Sequence, residues 1–361
     1  MVSKSMSHLK HFVRPGLFQL IYHATYACNA HCPFCIHRSY LNEKTSAELG
    51  LGELERIAAG LPGFPWLLLT GGEPFLRRDL GDVVKIFHKN CAVSHVTVTT
   101  NGMFPDRVRS FVETVFAECP GLTANVALSL DGPGEEHDRL RATPGNFKAL
   151  RESAAALREL RAKNPRLSLK AHTVLSRANL PLLDRIADDA RALGADLHTF
   201  DFVRETDGNA GVPLDALTPG EVRAALARLH EITRSYPGYG NLGLHSALVK
   251  FAAMSVLERN YDLVPEFMER KTQVIPCLAP ERNMVLDPYG NVGFCEIRDW
   301  IGNLRDHGYS RDRILASDRA AELTRSIRAK ECWCFHPCYQ QVNVLFRPVE
   351  LAAAMIEKAL P

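Results

Sequence analysis

Three cysteines within eight residues are the strongest chemical feature of this sequence. Residues 28–35 read Cys-Asn-Ala-His-Cys-Pro-Phe-Cys, so that Cys28, Cys32 and Cys35 follow one another closely. Thiolates at this spacing can converge on one metal centre. A [4Fe–4S] cluster normally takes four cysteines, and the next one, Cys91, lies far along the chain. A cluster held by three thiolates would keep one iron open to another ligand, as catalytic metal sites do.

The spacing also leaves two other kinds of site open. The last two cysteines, separated by Pro and Phe, fit a thioredoxin-type redox pair, but such a pair has no use for Cys28. A zinc ion would recruit a nearby histidine, and His23, His31 and His37 are candidates. The spacing favours a redox-active iron–sulfur cluster over both alternatives.

Five further cysteines lie near the C-terminus. Cys277 and Cys295 flank Gly290 in the pattern Cys-x12-Gly-x4-Cys, and residues 332–338 read Cys-Trp-Cys-Phe-His-Pro-Cys. Zinc is the main alternative to iron and sulfide here, because His336 could join these cysteines as a ligand.

The elements that must position these cysteines alternate regularly over the first two thirds of the chain. Repeated strand–helix order predicts an α/β fold with a parallel sheet and right-handed crossovers. Periodicity does not decide whether that sheet is open or curled into part of a barrel. We predict strands at 18–23, 66–70, 95–100, 125–130, 167–174 and 197–202, and helices at 53–59, 80–89, 107–117, 147–163 and 180–193.

The alternation of strands and helices ends after residue 202. A loop is predicted at 207–213, helices at 219–235, 245–259 and 348–360, and little regular structure in the cysteine-rich region, which a bound metal would organise. The predicted division of the chain is an N-terminal tail at 1–15, a barrel domain at 16–215, a helical connector at 216–276, a cluster-binding module at 277–345 and a C-terminal helix at 346–361.

Composition limits the classes of function. Lys and Arg number 43 against 41 Asp and Glu, so nothing indicates a nucleic-acid-binding protein. The chain has no secretory signal and no run of about 20 apolar residues that would span a membrane. We therefore expect a cytoplasmic protein whose ten cysteines are reduced and serve metal binding or redox chemistry, apart from the isolated Cys91 and Cys119, which we expect to be buried.

Two motifs together resemble those of a known family. Cys28-x3-Cys32-x2-Cys35, with Phe34 before the last cysteine and a strand before the first, is similar to the signature of the radical S-adenosylmethionine (radical SAM) superfamily. Gly-Gly-Glu-Pro at 71–74, directly after the second strand, matches that family's GGEP motif. The resemblance implies a [4Fe–4S] cluster whose open iron binds S-adenosylmethionine, and reductive cleavage of that cofactor to a 5′-deoxyadenosyl radical that abstracts hydrogen from an unactivated C–H bond.

The resemblance also implies a fold and a set of cofactor contacts. The fold is α/β, a partial (βα)6 TIM barrel with a C-terminal irregular α+β cluster-binding module. Asp131 is expected either to act at the site or to form a turn. The residues expected to contact S-adenosylmethionine are Gly71, Gly72, Glu73, Pro74, Asn101, Ser129 and Arg141, with Thr173 and Asn179 as further candidates.

The second cysteine group resembles the SPASM and twitch extensions of radical SAM enzymes. Those extensions carry auxiliary [4Fe–4S] clusters, and five cysteines suffice for one cluster with one cysteine to spare. The resemblance implies that Cys277 and Cys295 bind it with two of the remaining three thiols. The metal ligands expected in this module therefore come from Cys277, Cys295, Cys332, Cys334 and Cys338.

These resemblances imply an oxidoreductase-type enzyme that oxidises or rearranges a small molecule, with the auxiliary cluster as electron acceptor. Only a short segment precedes Phe18, which leaves no room for a peptide-recognition domain and favours a small substrate over a peptide. The alternatives are a maturase that modifies a ribosomal peptide or protein, and a non-enzymatic iron–sulfur or zinc protein. A reductase, flavodoxin or ferredoxin is the expected electron donor. No catalytic base is identified. Asp201, Arg204, Glu205 and Asp207 are candidates to line a polar substrate cavity after the sixth strand, but a solvated loop is the favoured interpretation.

Overall fold

The fold is built on one nine-stranded sheet. The computed structural model describes residues 16–43, 46–205, 209, 215–237 and 247–359. Along the sheet the strand order is β6-β5-β4-β3-β2-β1-β7-β8-β9. The strands are β1 Gln19–Thr25, β2 Trp66–Gly71, β3 His95–Thr100, β4 Thr123–Ser129, β5 Leu167–Leu175, β6 Leu197–Phe202, β7 Asn283–Leu286, β8 Asn291–Gly293 and β9 Gly302–Asn303.

Helices connect the first six strands and cover one face of the sheet. The α8 helix packs against α7, α12 and α13 and runs through Pro265, so it is longer than the predicted helix. None of the described helices is long and apolar enough to cross a bilayer. The helices are α1 Leu51–Ala59, α2 Leu80–Cys91, α3 Pro105–Glu118, α4 Glu135–Leu140, α5 Asn146–Lys163, α6 Leu183–Ala192, α7 Pro219–Arg234, α8 Ala247–Arg270, α9 Ala279–Arg282, α10 Arg311–Leu315, α11 Asp318–Arg328, α12 Pro337–Leu345 and α13 Pro348–Ala359.

The predicted strand–helix alternation is confirmed over β1–β6. These six strands are parallel and pair in sequence order, as repeated right-handed crossovers require. Parallel strands all end at the same edge of a sheet, so the loops after β1–β4 meet there. Those loops carry the cysteines at 28–35, the 71–74 motif, Asn101 and Asp131.

The cysteine-rich region is more regular than expected. Its first strand, β7, runs parallel to β1 with Leu20 opposite Met284, and β8 and β9 add antiparallel pairs. Strands of two to four residues are too short to show a periodic signal in the sequence. The main sheet therefore continues into the segment that carries the second cysteine group.

The sheet has one apolar and one polar face. Leu169 and Ala171 of β5 are buried, whereas Lys170 and His172 alternate with them and point to the other face. That face also carries hydrogen-bonded pairs across neighbouring strands. These are Trp66 Nε1 to Thr97 Oγ1 at 3.1 Å, His95 Nδ1 to Thr123 Oγ1 at 2.8 Å and His172 Nδ1 to Thr199 Oγ1 at 3.0 Å. We call this the inner face, and its polarity suits a binding site.

Candidate functional site

The first cysteine group forms a compact loop after β1. The backbone N–H of Ala30 lies 3.4 Å from Cys28 Sγ, and that of Cys35 donates to the Cys32 carbonyl at 3.3 Å. Burial, followed by the neighbouring thiols, raises the pKa of Cys28 to about 11 and that of Cys35 to about 12. Since Cys28 and Cys32 both act on the pKa of Cys35, the three thiols lie near one another. Thiols held together in this way become thiolates when a metal binds them.

The 71–74 motif supports this loop through its backbone. Gly72 N donates to the Thr25 carbonyl and Glu73 N to the Ala27 carbonyl, both at 2.8 Å. A Cβ on Gly72 would lie 2.2 Å from the Ala27 oxygen, and Gly71 has φ +111°. Both positions require glycine, because the chain there passes directly against the start of the cysteine loop.

Gly72→Ala is expected to lower the free energy of unfolding by about 1–3 kcal/mol, because its Cβ forces the backbone of Ala27 to move. Urea denaturation of the reconstituted protein measures the change. Gly52→Ala is the matched control: it lies in α1 with nothing within 4 Å of the added Cβ, and is expected to stabilise by up to about 1 kcal/mol. A Gly72→Ala midpoint equal to that of Gly52→Ala contradicts the expected clash.

The Glu73 side chain links neighbouring segments of the chain through hydrogen bonds. Its buried carboxylate accepts hydrogen bonds from Thr100 Oγ1 at 2.7 Å, from Asn101 N at 2.8 Å and from Phe75 N at 3.0 Å. Asn101 in turn donates from Nδ2 to Asn29 Oδ1 at 2.8 Å. The ends of β2 and β3 thereby hold the cysteine loop in place.

Arg141 is a buried cation beside the first cysteine group. It donates to Asp131 Oδ2 at 2.6 Å, but its Nε is buried without a partner among the described residues. Burial lowers the pKa of Arg141, yet Cys32, Asp131 and Cys28 outweigh this and raise it. An orphaned guanidinium N–H next to a set of thiols fits an anionic ligand such as a carboxylate.

The remaining candidates around the strand ends differ in what they can offer. Ser129 ends β4 opposite His172 and is partly exposed at the inner face. Thr173 is fully buried and donates to the Leu130 carbonyl at 2.5 Å, while the Asn179 amide donates to the backbone carbonyl of Asp131 at 2.9 Å. Thr173 and Asn179 therefore stabilise the loop after β4. Asp131 accepts a hydrogen bond from Arg141 and another from a backbone N–H of β5. Its side chain therefore positions Arg141 and does not serve only to form a turn.

Four thiols of the second cysteine group lie together. Burial, then Cys334 and Cys332, raises the pKa of Cys277 to about 12, and burial, Cys334 and Cys277 raise that of Cys295. Amide groups approach the sulfurs: Gln273 Nε2 lies 3.7 Å from Cys332 Sγ, Gln340 Nε2 lies 3.7 Å from Cys334 Sγ, and Ala279 N lies 3.4 Å from Cys277 Sγ. Hydrogen bonds to sulfur are a usual feature of iron–sulfur sites.

Cys338 has different surroundings. Its half-buried thiol has a raised pKa because of desolvation first, and then because of the carboxylates of Glu296 and Asp201, whereas Lys170 and Arg204 act in the opposite direction. It therefore faces the charged groups of the inner face. This environment differs from that of Cys277 and Cys295, whose pKa values are raised by neighbouring thiols.

The sulfur spacing does not match a single zinc ion. Zinc–sulfur bonds of about 2.3 Å in a tetrahedron place sulfurs about 3.8 Å apart. No three cysteine sulfurs in the described part of the chain lie within 4.8 Å of one another. A cluster with several irons binds thiols that are further apart, so both cysteine groups suit iron–sulfur clusters better than zinc.

Charged side chains occupy the inner face between the two cysteine groups. Asp201 and Arg204 form a buried ion pair at 2.7 Å, so the expectation of a solvated loop is wrong for these two residues. Burial lowers the pKa of Lys170 to about 8, while Cys338 and Asp201 act to raise it. Glu205 is exposed, and Asp207 lies outside the described residues. We call Lys170, His172, Asp201 and Arg204 the inner charged group.

Sequence reasoning missed Lys170 and His172, although a signal was present. Residues 167–172 alternate apolar and polar side chains, with Ser168, Lys170 and His172 on one face. Parallel strands that are buried on both faces are typically apolar throughout. Polar alternation in such a strand indicates that one face lines a cavity.

Comparison with known proteins gives one family match and several distant relatives. Residues 22–189 match the Radical SAM superfamily. A GTP 3′,8-cyclase of Yersinia pestis is 38% identical over 80 residues, which is 22% of this chain and 24% of that protein. The chain thus spans about a quarter of the length of the cyclases it matches. An AdoMet-dependent heme synthase of Oleidesulfovibrio alaskensis is 22% identical over 301 residues, which is 82% of this chain and 70% of that protein.

Solved structures share the fold over nearly the whole chain. AnSMEcpe with bound AdoMet superposes with a TM-score of 0.60 at 15% identity, over 95% of this chain and 97% of that one. SuiB of Streptococcus suis bound to S-adenosylmethionine superposes with a TM-score of 0.56 at 16% identity, over 86% and 69%. The predicted α/β fold, a sheet of the partial TIM-barrel type, is confirmed.

Proposed function

This chain is a member of the radical SAM superfamily, and from that premise we propose that it oxidises or rearranges a small anionic substrate held against its inner charged group. The observation that carries the proposal is the unpaired positive charge at that face. Membership of the family makes [4Fe–4S] and S-adenosylmethionine its cofactors, which together supply a 5′-deoxyadenosyl radical when bound.

Cys28, Cys32 and Cys35 are the proposed ligands of the cluster that binds S-adenosylmethionine. The three thiols lie near one another in one short loop, and three protein ligands would leave the fourth ligand position of a cluster to the cofactor. Arg141 offers its unpartnered Nε to a carboxylate, and Ser129 offers a hydroxyl at the end of β4. Gly71, Gly72, Glu73, Pro74 and Asn101 are the further proposed cofactor contacts, and the hydrogen bonds of this segment hold the cysteine loop in place.

Cys277, Cys295, Cys332 and Cys334 are the proposed ligands of one auxiliary [4Fe–4S] cluster. Their mutual proximity and the amide groups directed at three of the sulfurs support this set. Four protein ligands leave no iron open, so this cluster suits electron transfer rather than cofactor cleavage. Cys338 is left as a half-buried thiol at the edge of the inner charged group.

The inner charged group supports a substrate with a negative charge. Among the described residues, the Lys170 ammonium forms no hydrogen bond or ion pair, and the Arg204 Nε is buried without a partner. Arg204 already neutralises Asp201, and burial lowers the pKa of His172 to about 3, so that its ring is neutral. Glu296 also acts on the pKa of Arg204 but is not among the groups that act on that of Lys170, so the Lys170 ammonium keeps a positive charge with which a carboxylate or phosphate would pair.

A peptide is the second candidate substrate. It is supported by the likeness of this chain to SuiB, whose structure has been solved with its precursor peptide SuiA bound. That structure superposes on this chain with a TM-score of 0.53 at 15% identity, over 87% of this chain. An acidic side chain could present the same carboxylate to Lys170. A small molecule and a peptide could therefore bind Lys170 through the same group. The fraction of a cell extract that contains the substrate distinguishes the two kinds of substrate better than the chemistry of binding does.

The test is stimulation of S-adenosylmethionine cleavage by cell extract. We expect a metabolite ultrafiltrate to accelerate 5′-deoxyadenosine formation, because substrate binding couples cleavage to hydrogen abstraction. Lys170→Met is expected to weaken this stimulation by about 10-fold or more, as one charge-assisted contact worth about 1.5–3 kcal/mol is lost. Cleavage without substrate should persist in this variant, since Lys170 lies away from the first cysteine group.

The exposed Lys148→Met on α5 is the matched control and should respond as the wild type does. Stimulation that resides in the protein fraction and is destroyed by protease supports the peptide instead. Equal stimulation of wild type and Lys170→Met contradicts the role of the inner charged group.

A further inference from the structure

Glu296 lies in a buried group of imidazole rings that the proposed function does not use. Its Oε1 lies 2.9 Å from His23 Nε2 and 3.5 Å from His37 Nε2. Its Oε2 lies 3.1 Å from His336 Nε2 and 3.1 Å from the Tyr339 hydroxyl. The four ionisable side chains come from three segments, since His336 and Tyr339 both lie at the start of α12, yet they converge on one carboxylate.

All members of this group are buried. The side chains of His23 and Glu296 are 1% and 5% exposed, and that of His37 is 8% exposed. Among the described residues, no lysine or arginine forms an ion pair with Glu296. Burying a carboxylate without a cationic partner is costly, and a cation beside it would remove that cost.

Three of the donor atoms have the spacing of a metal site. One nitrogen each from His23 and His37 and one oxygen from Glu296 all lie within 4.8 Å of one another, which no other three His, Cys, Asp or Glu side chains achieve in the described part of the chain. Metal–nitrogen and metal–oxygen bonds of about 2.0–2.2 Å place neighbouring donors about 3–3.5 Å apart. The distances of 2.9 and 3.5 Å from Glu296 Oε1 agree with that spacing.

The surrounding hydrogen bonds leave His23, His37 and Glu296 able to bind a metal ion, whereas they prevent His336 from doing so. The Nδ1 atom of His336 accepts from Cys338 N at 3.3 Å, so its Nε2 carries the proton and donates to Glu296 Oε2. His23 Nδ1 lies 3.2 Å from the Tyr26 hydroxyl, which can accept its proton when Nε2 binds a metal. Such outer partners orient ligands in metal sites generally.

We propose that His23, His37 and Glu296 bind a divalent first-row transition-metal ion between the two cysteine groups. Two histidines and one carboxylate form the ligand set that Fe²⁺, Mn²⁺ and Zn²⁺ accept, with further positions open to another ligand. Position supports the location, because His37 lies two residues after Cys35 and Glu296 directly after Cys295. The proposal does not depend on the substrate or on the auxiliary ligand set.

Manganese titration of the cluster-loaded protein tests this site. Mn²⁺ prefers oxygen and imidazole donors to thiolates, so it should leave the cysteine sites alone. With the clusters in their diamagnetic oxidised state, the EPR signal of free Mn²⁺ should fall by one equivalent per chain. Zn²⁺ should release that Mn²⁺, because zinc lies above manganese in the stability order of such sites.

Variants assign the bound ion to these residues. His37→Gln and Glu296→Gln should weaken Mn²⁺ binding more than about 100-fold, and Tyr339→Phe about 10-fold, since partners outside the ligand set typically contribute 10- to 100-fold. His88→Gln on α2, whose ring bonds the Val93 carbonyl, is the control and should bind as the wild type does. Iron and sulfide contents show whether each variant keeps its clusters.

Two results would overturn the proposal. One is a wild-type protein that retains neither Mn²⁺ nor Zn²⁺ beyond its cluster metal, which would leave the group as a hydrogen-bonded carboxylate network. The other is wild-type affinity in Glu296→Gln, which would place the ion elsewhere. If a ligand variant loses its clusters as well, the number of Mn²⁺ ions bound per wild-type chain and the Mn²⁺ affinity of Tyr339→Phe decide whether the site exists.

Discussion

Cys32→Ala is expected to reduce 5′-deoxyadenosine formation by more than about 100-fold in protein reconstituted with iron and sulfide and reduced with dithionite. Loss of partners outside a metal's ligand set already costs about 10- to 100-fold, and loss of a ligand costs more. Cys32 is buried between the other two thiols of its loop and beside Arg141. Without it, the proposed open-iron site has only two protein ligands. Chromatography of the quenched reaction measures the product.

Cys119→Ala is the matched control, because Cys119 is a buried cysteine at the end of α3, away from both cysteine groups. It should form 5′-deoxyadenosine at the wild-type rate per bound cluster. Undiminished cleavage by Cys32→Ala would remove Cys32 from the ligand set, and loss of cleavage in both variants would indicate a general folding defect.

Cys295→Ala is expected to separate the two clusters. Iron content should fall from about eight to about four per chain, because one of two [4Fe–4S] clusters is lost. Cleavage of S-adenosylmethionine should persist, since the first cysteine group is intact, whereas the oxidised product should disappear because its electron acceptor is missing. Iron analysis and product chromatography on the same sample test both parts.

Cys338→Ala makes this test sharper, because Cys338 belongs to the same segment but faces Glu296, Asp201 and Lys170. It should keep about eight irons per chain, as the auxiliary cluster keeps all four proposed ligands. If Cys338→Ala loses about four irons while Cys332→Ala keeps them, the auxiliary ligand set must be exchanged accordingly.

The sequence was most informative where signals repeat. Six strands and their helices are visible from alternating apolar runs, and each predicted strand lies within two residues of the observed one at either end. Cys28, Cys32 and Cys35 were found because their spacing is local. Neither inference requires knowledge of which distant segments meet.

Contacts between distant segments were beyond sequence reasoning. His23 and Glu296 are separated by 273 positions and meet only because β7 pairs with β1. Asp201 lies next to the end of β6, where the sequence passes into a loop, but His336 from a distant segment lies near enough to help lower the pKa of its carboxyl. No local pattern distinguishes Cys338 from Cys334 either, because the charged groups that surround Cys338 come from β5, β6 and residue 296.

Formation of 5′-deoxyadenosine by the wild-type protein is the most direct test of the central claim. Anaerobic protein with a measured content of iron and sulfide is mixed with S-adenosylmethionine and dithionite, and the products are separated by chromatography. We predict 5′-deoxyadenosine and methionine in equal amounts. A protein that carries its clusters and leaves S-adenosylmethionine intact would contradict the assignment of Cys28, Cys32 and Cys35 as a cofactor-cleaving site.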